Sequence, residues 1–182
     1  MKKKGLSTIV ATIAVVLLTL AAAAFIAGFI VPLVRNQLNE GTECLGYEDY
    51  FTFYEEFEYN CYRQGGSTWL YGISVQADSV REETADEVAG FKLQFLKTGE
   101  SKSVEVEDEM PKTDEIRMLN SSVAKLEIPK SGEVRTYVYT GNGLFGTVKI
   151  APVLKSGRTC EITDSIDIGG IECAPGVDLA LT

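Results

Sequence analysis

Apolar and polar positions divide this chain into two parts that meet near Arg35. From Leu6 to Val34, 29 residues pass without a charged side chain. Twenty-three of them are apolar, the exceptions being Ser7, Thr8, Thr12, Thr19, Gly28 and Pro32. A helix over this run has no polar face to turn toward water. At ~1.5 Å per residue it is ~43 Å long, whereas a bilayer core of ~30 Å needs only ~20 such residues. The run therefore predicts a helix for lipid or for the centre of a large assembly, and it is too long for an ordinary soluble core helix. Pro32 lacks a backbone donor and predicts a kink near Gly28. Leu33, Val34 and Leu38 carry helical character on to about Asn39, and Gly41 and Thr42 end it.

Beyond Asn36 the pattern becomes short alternating runs broken by glycine, proline and Asp/Ser clusters, the spacing of an all-β sandwich. Glu43-Cys44-Leu45 opens a first predicted strand. Residues 47–62 hold eight of the chain's seventeen aromatic residues. There Phe51, Phe53, Phe57, Tyr59 and Cys61 share one parity, as on one strand face, with Glu55 as the interruption; Tyr47, Tyr50, Phe51 and Tyr54 offer a competing helical spacing. Gln64 to Ser67 reads as a turn before a strand over Trp69–Ala77, and residues 78–87 as an acidic loop. Gly90 to Leu96 is the clearest strand, with Phe91, Leu93 and Phe95 on one face. Further strands are predicted at Ser103–Glu107, Val123–Ile128, Val134–Tyr139, Gly146–Leu154 and Thr159–Ile162, broken by Pro111, Pro129 and Gly132. Seven to nine strands behind one long helix predict an α+β chain whose second part is a two-layer β-sandwich.

Charge sharpens the division. The net charge of −9 combines four basic residues and no acidic one in residues 1–35 with a body at −13. Lys2, Lys3 and Lys4 precede the apolar run and only Arg35 follows it closely, which keeps the N-terminus cytoplasmic and exports the body. A secretory signal peptide has an apolar region about half as long, with its cleavage site after it. The acidic balance argues against nucleic acid as a partner, which requires a clustered basic footprint.

Candidate chemistry is sparse. The chain has no histidine, which removes Ser-His-Asp and Cys-His catalysis and histidine-bound zinc. No glycine-rich phosphate loop or marked carboxylate pair replaces it, so neither an enzyme nor a cofactor is expected. Cys44, Cys61, Cys160 and Cys173 lack zinc-ligand spacing, and in an exported body they predict two disulfides. Cys44–Cys61 with Cys160–Cys173 closes short loops, while Cys44–Cys160 ties the start of the domain to its last strands; spacing does not choose between them. Asn120-Ser121-Ser122 is a glycosylation sequon. Glu105, Glu107, Asp108 and Glu109, with Asp114 and Glu115, lack the spacing of a calcium loop and read as a solvated acidic edge, not a metal site.

The residues at the head of the apolar run carry a resemblance. Lys3-Lys4-Gly5-Leu6-Ser7-Thr8-Ile9-Val10 is a short basic leader ending in glycine, placed before the hydrophobic segment. It resembles the class III signal peptide of type IV pilins and archaellins. The wording from Gly5 to Ile13 is closer to archaeal pilin-like proteins, because bacterial pilins carry a glutamate where Val10 stands. The resemblance covers about the first 40 residues. It implies a leader over residues 1–5, a transmembrane and filament-core helix over 6–40, and an extracellular immunoglobulin-like or pilin-type sandwich over 41–182. It implies cleavage by a prepilin peptidase between Gly5 and Leu6, with Lys3 and Lys4 as recognition charges. It further implies membrane residence before assembly, handling by pilus assembly machinery, and a helical homo-oligomer at the cell surface. Ala11, Ala14, Ala21, Ala24, Gly28 and Pro32 then stand in the helix-packing region, where small residues let backbones approach.

Overall fold

The computed structural model of the chain describes residues 8–34, 43–79 and 87–179. The expected boundary between helix and body near residue 40, and most of the expected acidic loop, lie outside the described residues. The chain forms two compact units, one ending at Leu45 and one beginning at Gly46.

In the first unit α1 runs over Thr8–Phe25, passes into a π-helical turn over Ile26–Ile30, and continues as helix through residues 31–34. The wide turn has a local cause. Pro32 offers no N–H to the Gly28 carbonyl one α-turn back, and its ring crowds that carbonyl. The chain responds by widening, and the Val31 N–H donates to the Ile26 carbonyl, five residues earlier. The irregularity expected near Gly28 is thus a π-turn.

The second unit contains nine strands among the described residues: β1 (Phe51–Phe53), β2 (Cys61–Gly65), β3 (Thr68–Ala77), β4 (Val88–Lys97), β5 (Glu100–Glu107), β6 (Ile116–Met118), β7 (Val134–Gly141), β8 (Thr147–Leu154) and β9 (Asp164–Asp167). With the helix they make an α+β chain. All strand ladders are antiparallel. One sheet runs β1-β3-β7-β6 with β2 also on β3; the other runs β5-β4-β8-β9. Period-two alternation supplies the two inner faces. Tyr71, Ile73 and Val75 of β3 and Phe91, Leu93 and Phe95 of β4 are fully buried. The sheets meet through rings: Phe95 stacks on Tyr139 of β7 with centroids 4.0 Å apart, and Phe91 approaches Tyr137 edge-on at 5.3 Å. The Tyr71 hydroxyl donates to the Gly143 carbonyl at 2.6 Å and accepts from the Phe145 N–H at 2.8 Å, holding the β7–β8 connection onto this core.

Two short strands share one edge of β3. β1 pairs with Val75–Ala77 and β2 with residues 68–72, leaving Ser74 at the gap. The loop between them fills it: Ser74 N–H donates to Asn60 Oδ1 at 2.7 Å, and Ser74 carbonyl accepts from Tyr54 N–H at 2.9 Å. Both backbone groups of Ser74 at this break are thereby satisfied, as burial demands. The loop lies so close that a Cβ at Gly72 would sit 2.3 Å from the Tyr59 carbonyl oxygen and 3.0 Å from Leu179. Leu179 belongs to a C-terminal strap. After β9 the chain runs parallel to β2 through a Tyr62–Glu172 bridge and is bonded by the Cys61–Cys173 disulfide. Within the described residues Leu179 is fully buried, its carbonyl accepting from Arg117.

Three expected strands are corrected. Residues 43–46 are a helical position followed by turn, and Asp49 with φ 62° adds a further bend before the ladder begins at Phe51. Residues 123–128 bond to residues 109–112 with a single Pro111–Lys125 bridge; Pro111 supplies no N–H, so no ladder propagates. Residues 159–162 form no strand: they make a single Val153–Thr159 bridge and the Cys160 N–H donates to the Pro152 carbonyl at 2.8 Å. The predicted run from Phe51 to Cys61 is split into β1 and β2 by the loop carrying exposed Phe57 and Glu58 at φ 55°. β6 and β9, at three and four residues, are too short to show a period in the sequence.

Two measurements test this packing. Gly72→Val forces backbone apart at Tyr59 and is expected to lower the unfolding free energy by about 1–3 kcal/mol or more in chemical denaturation; wild-type stability would contradict the close approach. Burial holds the hydroxyl pKa of Tyr137 and Tyr139 above the ordinary value of 10.0, with Glu115 adding to the effect at Tyr139. The unfolded chain ionises its tyrosines first, so this contribution is complete below about pH 10 and is lost as pH rises beyond it. Tyrosinate absorbance and circular dichroism followed together through alkaline titration should show these rings ionising only as the fold is lost.

Candidate functional site

The feature that demands an explanation is the helix. Its apolar span, Val10–Val34, is long and apolar enough to cross a membrane by length and composition, and none of it is buried within the chain. Leu18 is 73% exposed and Phe29 68%, whereas large apolar side chains in the sandwich are mostly buried. The expected packing residues Ala11, Ala14, Ala21, Ala24, Gly28 and Pro32 all lie on this uncovered helix and are exposed. On a helix of ~100° per residue, Ala14, Ala21 and Ala24 fall within an arc of ~80°. A Cβ added at Gly28 would meet nothing, so the small side chain there serves no contact inside the chain.

Polar groups along the helix suit a dry environment. The Thr19 hydroxyl donates back to the Val16 carbonyl at 2.8 Å, so it carries no unsatisfied donor into lipid. The aromatic rings of Phe25 and Phe29 lie 5.2 Å apart across the π-turn and thicken its side.

The remaining predicted residues are placed as follows. Lys3, Lys4, Gly5 and Leu6, the leader and its cleavage point, lie outside the described residues. All four cysteines are disulfide-bonded and none is free. The Cys61–Cys173 bond excludes the local pairing that closes short loops. Its 112-residue separation gives, in the chain-entropy model, a stabilisation of about 4–5 kcal/mol. Together with the apolar helix near the N-terminus, the disulfides fit an oxidising, extracellular setting for the body and membrane insertion or export through the helix.

Asn120 is exposed in a turn, its Oδ1 accepting from the Ser122 N–H at 3.1 Å. The acidic stretch is drawn into the domain's own polar contacts. Glu109 pairs with Lys125, Glu115 with Lys102 at 3.0 Å, and Asp108 accepts from the Ile128 N–H. Lys125 holds the Glu109 carboxyl below its ordinary range through hydrogen bonding and charge. Among the described residues no group of three or more metal-capable side chains comes together.

Neither the family models nor the curated proteins searched give a match to this chain. Lys92 and Lys149, which no sequence motif marks, share a groove on the outer face of the second sheet. They lie 57 positions apart, and only the β4–β8 register brings them together.

The uncovered helix fits membrane insertion or a signal sequence, and retention in the membrane can be measured. The full chain should partition into the detergent phase and resist alkaline extraction from membranes. Leu18→Arg places a charge at the middle of the span at a cost of about 2.5–3.5 kcal/mol and should shift the protein toward the soluble fraction. Equal partitioning of both forms would count against a membrane role.

Proposed function

We propose that this chain is the structural subunit of an extracellular filament of the archaeal type IV pilus or archaellum kind. The observation that carries the reading is the wholly uncovered apolar helix attached to a disulfide-bonded β domain with a complete core of its own. In the precursor, lipid covers the helix and the lysines hold the N-terminus inside. A prepilin peptidase removes residues 1–5, which leaves the helix without flanking lysines. Assembly machinery then moves it from lipid into a bundle of identical helices. The exchange is feasible because both surroundings are apolar; packing of small residues favours the bundle. A repeated head-to-tail contact that does not close generates an open filament, with the acidic sandwich facing water. No catalytic step is assigned to the chain.

A second reading rests on the same helix. Lipid alone can satisfy an apolar surface of this length, so a membrane-anchored pseudopilin or surface binding module that never forms filaments is the alternative. Mass spectrometry of protein from native membranes separates the leader hypothesis from a plain anchor. A mature N-terminus at Leu6 is expected, and Gly5→Leu should leave the leader attached; an intact Met1 in the wild type would remove the pilin reading. Electron microscopy of sheared surface material then decides between filament subunit and lone module, since monomers confined to the membrane fraction would exclude the filament.

A further inference from the structure

The body holds twenty-six acidic and thirteen basic residues, so a groove lined by lysines and no carboxylate is unexpected there. Lys97, Lys102 and Lys125 each pair with a glutamate. Among the described residues Lys92 and Lys149 form no ion pair, as is also true of Lys112, Lys130 and Lys155. Lys92 and Lys149 stand on adjacent strands, β4 and β8, two residues out of register, on the face turned away from the core. Glu105 lies opposite Lys92 across β5, yet no ion pair joins them. The two lysines line a groove of ≈ 280 Å³ whose wall includes Gln94, Ser103, Thr159 and Ile162. Its lining contains no carboxylate, and Ile162, half exposed, leaves an apolar spot on it.

A complementary shape exists elsewhere on the same domain. The loop between β1 and β2 presents Glu55, Glu56, Phe57 and Glu58 to solvent, with Phe57 50% exposed. The loop is held in shape: Glu58 N–H donates to the Glu55 carbonyl at 3.1 Å, and Asn60 Nδ2 donates to the Tyr54 carbonyl at 2.9 Å. The Phe57 ring rests edge-on against Tyr54 at 4.6 Å, which limits its freedom before any contact is made. An acidic knob with one apolar ring and a basic groove with one apolar wall residue match in both charge and polarity.

We infer that the outer domains of neighbouring copies dock through this pair, the Glu55–Glu58 knob of one copy entering the Lys92–Lys149 groove of the next. The occupant is a second copy, because every copy supplies the acidic knob in equal number to the groove. Knob and groove are different surfaces, so the contact is heterologous and extends in an open array unless rotation closes it. The inference rests on the proposed assembly for bringing copies together, but its test reads the outer contact separately.

Full-length protein is mixed from isotopically light and heavy preparations at high concentration in detergent micelles and treated with a carbodiimide, which joins a lysine amine to a carboxylate with loss of water. Light–heavy cross-links from Lys92 or Lys149 to Glu55, Glu56 or Glu58 are expected. Lys92→Glu with Lys149→Glu should reduce intermolecular cross-linking between the two surfaces by about tenfold or more. Adding Glu55→Lys and Glu58→Lys to that variant restores complementarity with both signs exchanged and should restore the cross-links. Particle size, measured on the same samples, reports helix-driven association independently. Absence of the light–heavy cross-links in wild-type protein overturns the inference, whether or not large particles form. Large particles without these cross-links leave the helix-driven assembly standing and remove only the outer contact. A fourfold variant that folds but cross-links no better than the double variant also overturns it.

Discussion

Among the described residues, no side chain buries the apolar helix spanning Val10–Val34. Apolar surface in water costs about 25 cal/mol per Å². Over twenty-five residues, most of them apolar, the sum is on the order of tens of kcal/mol, several times the net stability of a typical domain. The sandwich closes around an aromatic core of its own. A second apolar phase, lipid or a bundle of like helices, would remove the cost. The rest of the chain is arranged to let one segment be dry while the other stays folded in water.

The sandwich meets that demand by finishing its surfaces. At the open side between the sheets, Asp164 of β9 accepts from the Phe53 N–H at 2.8 Å, and Thr163 donates to the Phe51 carbonyl at 2.7 Å. Side chains from one sheet thus satisfy the outward edge of β1 in the other, where an unpaired strand would otherwise invite indiscriminate pairing. At β2 the free edge is taken by the C-terminal strap and its disulfide. β5 remains an edge, and its exposed positions carry Ser101, Ser103, Glu105 and Glu107 while Val104 and Val106 point inward. Edges closed or charged in these ways favour association through side-chain surfaces over strand pairing.

Much of this was legible because it is local. The charge-free run marks the helix, Pro32 marks its irregularity, and the alternation of Phe91, Leu93 and Phe95 marks β4. What escaped depends on distant partners. β9 reads Asp-Ser-Ile-Asp, with one inward residue, Ile166, and no visible period; it is a strand because β8 pairs with it and Phe53 anchors its first aspartate. Residues 123–128 looked like a strand because Val123, Leu126 and Ile128 are apolar, but their neighbours across the gap include Pro111, which cannot donate. The disulfide choice was equally non-local: nothing in the cysteine spacing reveals that the strap returns beside β2. The leader, the strongest family signal in the chain, lies outside the described residues, so its meaning still rests on resemblance.

Charge segregation gives the assembly reading its remaining physical constraint. Bodies at −13 repel when brought together, yet screening at physiological salt has a length of about 8 Å, which confines that repulsion to near contacts. Burial of a helix worth tens of kcal/mol overcomes diffuse repulsion of this kind. It does not determine how neighbouring bodies are oriented, because an apolar helix surface has little directional preference. Orientation has to come from short-range polar complementarity, where like charges face a penalty and opposite charges a gain within a few ångströms. In an acidic body, a groove lined by lysines and no carboxylate is then a position at which register can be encoded. Lys92 and Lys149 occupy such a position on a rigid sheet face, set by backbone register rather than by a loop.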